Sequence, residues 1–118
     1  MIGVNINDKD YPFTEWILSG RKTIETRRTN SLKPYVGKRV GIVKTGKGKA
    51  TLVGFITIGE PIFYHTEEEF RRDEDKHHVC AGSKYDFGDS GKYGYLLINP
   101  VRVVPRYVNS NGIIARKI

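Results

Sequence analysis

The reading of this chain turns on Gly20-Arg21-Lys22-Thr23-Ile24-Glu25-Thr26-Arg27. Arg21, Lys22, Glu25 and Arg27 are charged, yet Thr23, Ile24 and Thr26 give the stretch the β-branched content of a strand. Alternation puts Ile24 and Thr26 on one face and Glu25 and Arg27 on the other. Upstream, Asp8 or Asp10 can cap a short helix, with Pro12 near its first turn, where a missing N–H costs least. Phe13, Trp16 and Ile17 then fall at i, i+3 and i+4, one apolar helix face, and Gly20 suits a helix C-terminus. The stretch therefore opens a strand where a helix ends. A lysine, a glutamate and an arginine so placed either decorate a sheet edge, where an ion pair contributes little, or line a site.

Working outward, residues 2–6 alternate and read as a first strand. Pro34 and Gly37 mark a loop, and Arg39 to Lys44 (RVGIVK) reads as a strand. The basic turn Thr45 to Lys49 (TGKGK) joins it in a hairpin to Ala50–Ile58, where Gly54 and Gly59 suggest a bulge or tight bend. Thr66 and Glu69 fit a capping box, opening a short, polar helix that ends near Gly82 and is anchored by Phe70 and Val79. Residues 83–92 read as a loop. Tyr93 to Ile98 is a strand, interrupted by Pro100 and resumed from Val101 to Val104, and a last short strand lies at Ile113–Arg116. The order β-α-β-β-β-α-β-β predicts an α+β fold: a small curled or barrel-like sheet with two short flanking helices. No repeat, low-complexity tract or linker divides residues 1–118, so a single domain is expected.

Composition narrows the partners. With 38% hydrophobic and 28% charged residues, the chain reads as globular rather than disordered. No run approaches the roughly 18 apolar residues of a membrane helix, and MIGVNINDKD lacks the features of a signal peptide. A cytoplasmic protein with no membrane partner is expected. The single cysteine, Cys80, agrees with a reducing compartment. A net charge of +7 favours polyanionic partners, chiefly nucleic acid. Arg21, Arg27, Arg28, Lys33, Lys38 and Arg39 cluster near the opening stretch and suit a nucleic-acid backbone.

The residue types carry their own chemistry. A lysine beside a carboxylate can bind phosphate while the carboxylate holds it in place. If half-buried, Lys22 acquires a lowered pKa and can act as a base, a shift that Glu25 opposes. Tyr35, beside Pro34, and Tyr85, in the polar loop, are placed to stack on a base. TGKGK lacks the pattern of a Walker loop and reads as a structural turn. Adjacent His77 and His78 point about 100° apart on a helix and rarely share an ion, so no metal site is expected there. The acidic run Glu67–Asp75 reads as a solvated face, although in a nuclease one of its carboxylates would bind Mg²⁺ or Mn²⁺.

Gly-x-Lys-x-x-Glu-x-Arg, here Gly20, Lys22, Glu25 and Arg27, resembles the signature of the ASCH domain family, a branch of the PUA-like superfamily of small β-barrels. The preceding EWILSG, the strand KRVGIVK and the late strand YGYLLINPVRV are also similar to that family, and the resemblance spans roughly residues 2–104. It implies a pseudo-barrel whose cleft is floored by the motif and takes RNA, a nucleotide or a modified nucleoside, with no cofactor. On this reading Gly20, Lys22, Glu25, Arg27, Tyr35 and Tyr85 form the binding site. Some family members are hydrolases, which implies Lys22 and Glu25 as catalytic residues of an alternative activity. One group is a metal-assisted ribonuclease that needs Mg²⁺ or Mn²⁺. The other is an amidohydrolase of N4-acylcytidine-type nucleosides, in which the lysine matching Lys22 activates a threonine three residues on and a distant glutamate completes the site. This chain has Glu25 at that threonine's place, which removes the expected hydroxyl.

Overall fold

The computed structural model describes all 118 residues. Strands β1 (Ile2–Asn7), β2 (Ile24–Arg27), β3 (Arg39–Thr45), β4 (Thr51–Tyr64), β5 (Lys92–Tyr107) and β6 (Ala115–Lys117) form one mixed sheet in the order β2-β5-β4-β3-β1-β6. Only β1 and β3 run parallel; the other neighbours are antiparallel. The fold is α+β. The sheet curls without closing, so β2 and β6 remain edges. Arg27 on β2 nevertheless reaches the backbone carbonyl of Asn5 on β1 at 2.8 Å, bridging the open seam.

Three short helices, rather than the two expected, accompany the sheet: α1 (Phe13–Leu18), α2 (Glu67–Arg72) and α3 (Glu74–His77). Asp8 caps α1 from a distance, accepting bonds from the Thr14 amide at 3.0 Å and hydroxyl at 2.5 Å. The capping box at Thr66 and Glu69 is complete. The polar helix then breaks at Asp73, and α3 ends in the left-handed residue His78. The chain there makes tight turns rather than continuing to Gly82. A short 3₁₀ turn at Lys33–Tyr35 precedes β3.

Strands β4 and β5 are longer than the periodicity suggested because irregularities interrupt their alternation. Pairing jumps from Phe55–Val101 to Thr57–Ile98, which leaves Asn99 and Pro100 in a register shift. The missing N–H of Pro100 falls there, so β5 continues through it. A further shift brackets Gly59. Gly54 also borders a register shift, between Leu52 and Gly54. It serves a second purpose: a Cβ there would stand 2.5 Å from Leu18 Cδ2, so the glycine lets α1 lie directly on the sheet.

The main core joins Phe13 and Ile17 of α1 to Val4, Ile6, Leu32, Val40, Ile42, Ile56, Ile58 and Tyr95. A smaller core of Tyr64, Phe70 and Val79 fixes α2 and α3 against the sheet. The His77 ring stacks on Phe70 with centroids 4.1 Å apart. No helix is long and apolar enough to cross a membrane.

Candidate functional site: a basic cavity at the open seam

Where the sheet fails to close, a cavity of about 450 Å³ opens between β2, β1 and the C-terminal segment. Its position follows from the turn after α1. Gly20, at φ 82°, reverses the chain, and the Lys22 amide returns to the carbonyl of Trp16 at 2.8 Å. Thr23 bonds to the Lys76 carbonyl at 2.8 Å, docking the end of α3 beside the motif. β2 then pairs with β5, Glu25 opposite Tyr95 and Arg27 opposite Tyr93.

Lys22, Glu25 and Arg27 meet in the cavity wall. Lys22 is 2% exposed. Its ammonium donates to the His77 carbonyl at 2.5 Å, lies 3.5 Å from one Glu25 oxygen and sits 4.8 Å from the centre of the Phe13 ring. Arg27 Nη2 holds the other Glu25 oxygen at 2.9 Å. Burial lowers the Lys22 pKa, and the Glu25 charge opposes that shift. Tyr85 also lines the cavity, its ring edge-on to Phe13 at 5.6 Å and to Tyr11 at 6.4 Å.

Gly20 and Tyr35 lie outside the cavity. Gly20 is an exposed turn residue, and Tyr35 in the 3₁₀ turn packs its ring against the main core. Sequence reasoning passed over other lining residues: Asn5, Arg28, Lys92 and Arg116. The sequence places Arg28 only in a general basic cluster. Lys92 and Arg116 lie far from the motif in the sequence, and only the curl of the sheet brings them beside β2. Lys92, also 2% exposed, donates to the Tyr85 carbonyl. Burial, with the Arg28 charge next, lowers its pKa to about 8. Arg116 donates from Nε to the Asn5 carboxamide oxygen at 2.9 Å. The Asn5 amide in turn donates to the Gly112 and Ile113 carbonyls at 2.9 and 3.0 Å, fastening the C-terminal segment over the cavity.

The cavity thus presents five cationic side chains, Lys22, Arg27, Arg28, Lys92 and Arg116, and a single carboxylate, Glu25. These residues do not fit a divalent cation. Mg²⁺ and Mn²⁺ need oxygen ligands, usually carboxylates, and both Glu25 oxygens already face cations. Nowhere do three His, Cys, Asp or Glu side chains converge. His77 is committed elsewhere, its Nε2 to the Phe70 carbonyl and its Nδ1 to the Val79 amide.

The curled α+β sheet thus carries a charged cavity at its open seam. Solved structures specify it further: the fold is that of the ASCH domain. The crystal structure of ASCH from Zymomonas mobilis superposes with a TM-score of 0.74 at 21% identity, covering 92% of this chain and 73% of that one. Two single-residue variants of the same Zymomonas mobilis protein, each 21% identical, give TM-scores of 0.74 and 0.73. The first covers 92% of this chain and 76% of its own; for the second the shares are 90% and 72%. No protein-family model and no curated protein matches the sequence.

Proposed function

We propose that this protein binds RNA or a nucleotide, holding a nucleobase and phosphate in the basic cavity at the seam of the sheet. One observation carries the reading: five cationic side chains surround one carboxylate in a cavity of about 450 Å³. That volume lies within the range of small-ligand sites, roughly 300–1,000 Å³. Lys22 and Lys92 are buried there, and buried positive charge is costly unless a counter-charge offsets it. Glu25 suits a base amino group or orients Lys22, and Tyr85 offers an aromatic edge to a base. A cytoplasmic location accords with such ligands.

Fluorescence anisotropy with labelled single-stranded RNA, and calorimetry with nucleotides and nucleosides, test this reading. Arg27→Ala, at a half-buried position, and Lys22→Met should both weaken binding while circular dichroism stays native. Absence of binding to RNA, nucleotides and nucleosides at low salt would overturn the proposal, as would binding indifferent to both substitutions.

A second reading has its own support. A buried lysine with a lowered pKa beside a carboxylate is equipped for general-base work. Thr26 borders the cavity too, although alternation sets it on the strand face opposite Glu25 and Arg27. This reading makes the protein an amidohydrolase of an acylated nucleoside, with Lys22 as base. Mass spectrometry after incubation with N4-acetylcytidine decides it: released cytidine that disappears in Lys22→Met supports turnover, and intact substrate leaves binding alone.

A further inference from the structure

Charge is paired unevenly inside the cavity. Glu25 divides its oxygens between Lys22 and Arg27. Arg116 commits its guanidinium to the Asn5 carboxamide and to the carbonyls of Ser110 and Gly112. Arg28 and Lys92 are left, and neither has a carboxylate partner within ion-pair distance. The nearby acid of the loop, Asp86, is held by Arg71 at 2.8 Å and accepts bonds from the Gly82 and Phe87 amides, each at 2.7 Å.

Arg28 and Lys92 are neighbours. Arg28 Nη2 donates to the Lys84 carbonyl at 2.9 Å, and Lys92 Nζ donates to the next carbonyl along, that of Tyr85. Gly88 closes on the same guanidinium, where a Cβ would stand 3.2 Å from Nη1. A nearly fully buried ammonium and a solvent-exposed guanidinium at the cavity mouth therefore flank one point of the cavity without a counter-ion. A planar fork beside a compact ammonium is the donor set that grips a tetrahedral oxyanion.

We propose that Arg28 and Lys92 form an oxyanion subsite that takes the phosphate of a nucleotide, leaving Lys22, Glu25 and Arg27 to face the base. The assignment rests on the nucleotide-binding reading and divides its site in two. The phosphate comes either from a nucleoside monophosphate or from the RNA backbone; the chemistry is shared. The charges facing Lys92 are Arg28 from the segment after β2, Glu25 and Lys22 from β2 and its approach, and Asp86 from the loop, while the Phe70 ring packs from α2. A bound phosphate favours the ammonium form. Affinity should therefore fall as pH rises past about 8, where Lys92 of the empty site loses its proton.

Calorimetry with ribonucleoside 5′-monophosphates, the matching nucleosides, a dinucleotide with only a backbone phosphodiester, and inorganic phosphate tests the subsite. The monophosphate should bind at least about tenfold tighter than its nucleoside. Arg28→Met should erase that advantage and leave nucleoside affinity in place, and Lys92→Met should do the same and flatten the pH profile. Because Lys92 is buried, Arg28→Met decides the matter if Lys92→Met fails to fold. A dinucleotide that matches the monophosphate assigns the subsite to the RNA backbone; a weaker one assigns it to a terminal phosphate. Equal binding of monophosphate and nucleoside by the wild type would overturn the subsite while nucleoside binding stands. Arg28-dependent binding of inorganic phosphate alone would keep the subsite and overturn the nucleotide reading. No binding of any probe would overturn both.

Discussion

His77 is fully buried, and both its ring nitrogens are spoken for. Nδ1 accepts from the Val79 amide at 2.9 Å, so the proton belongs on Nε2, which donates to the Phe70 carbonyl at 2.7 Å. A second proton would set two N–H groups against each other. Burial, aided by the charges of Lys22 and Arg71, lowers the pKa to about 4 from the usual 6.5. The unfolded chain therefore binds more protons between those values, and stability present above 6.5 is lost as pH falls towards 4. The loss should reach about 2 kcal/mol on going from about pH 7 to about pH 5. Urea unfolding at those pH values checks it, and a midpoint that does not move would mean that the folded imidazole is charged.

The buried triple gives a second prediction at this scale. Glu25→Gln leaves the Lys22 ammonium buried with only the His77 carbonyl, and should cost about 3 kcal/mol. Adding Lys22→Met removes the stranded charge and should recover part of that loss. Additive effects within about 0.5 kcal/mol in the double-mutant cycle would show the two side chains to be independent. Much of this wall was legible in the sequence, because strand alternation alone puts Glu25 and Arg27 on one face. Lys92 and Arg116 were not legible: Lys92 opens β5, Arg116 lies within β6, and no local spacing connects either to β2.

At the scale of elements, helix caps and turn residues were readable, and strand lengths were not. Capping chemistry is local, so Thr66 and Glu69 announce α2 on their own. The extent of β4 and β5 depends instead on register shifts set by the partner strand, which hide behind Pro100, Gly59 and the broken alternation. Gly54 shows what such a position does. It allows Leu18 of α1 to touch the sheet, and an added methyl would stand 2.5 Å from both Leu18 Cδ2 and the Val101 carbonyl. The carbonyl belongs to a paired strand and cannot move alone. Gly54→Ala should therefore destabilise the protein by about 1–3 kcal/mol. Its effect should pass to the site as well, since α1 carries Phe13 over Lys22. Thermal unfolding measures the first effect and ligand affinity the second; a variant as stable as the wild type would mean that α1 docks loosely.

For the molecule as a whole, the question is how its charge divides between the cavity and the exterior. The net charge is +7, yet the cavity uses only Lys22, Arg27, Arg28, Lys92 and Arg116. Lys47, Lys49, Arg102 and Arg106 are exposed along the β3–β4 turn and the far half of β5, with Lys49 resting 5.3 Å from the Tyr107 ring centre. None of these exterior cations borders the cavity, so a ligand confined there displaces few counter-ions. An RNA strand that also follows the exterior displaces more, and for single strands log K falls with log salt at roughly 0.7 per phosphate neutralised. The slope for an oligonucleotide should therefore be steeper than that for a mononucleotide. Charge reversal at Lys49 and Arg106 should reduce the oligonucleotide's slope and leave the mononucleotide's unchanged. Anisotropy titrations across a salt series measure both. Equal slopes would confine recognition to the seam and make the exterior charge a matter of solubility alone.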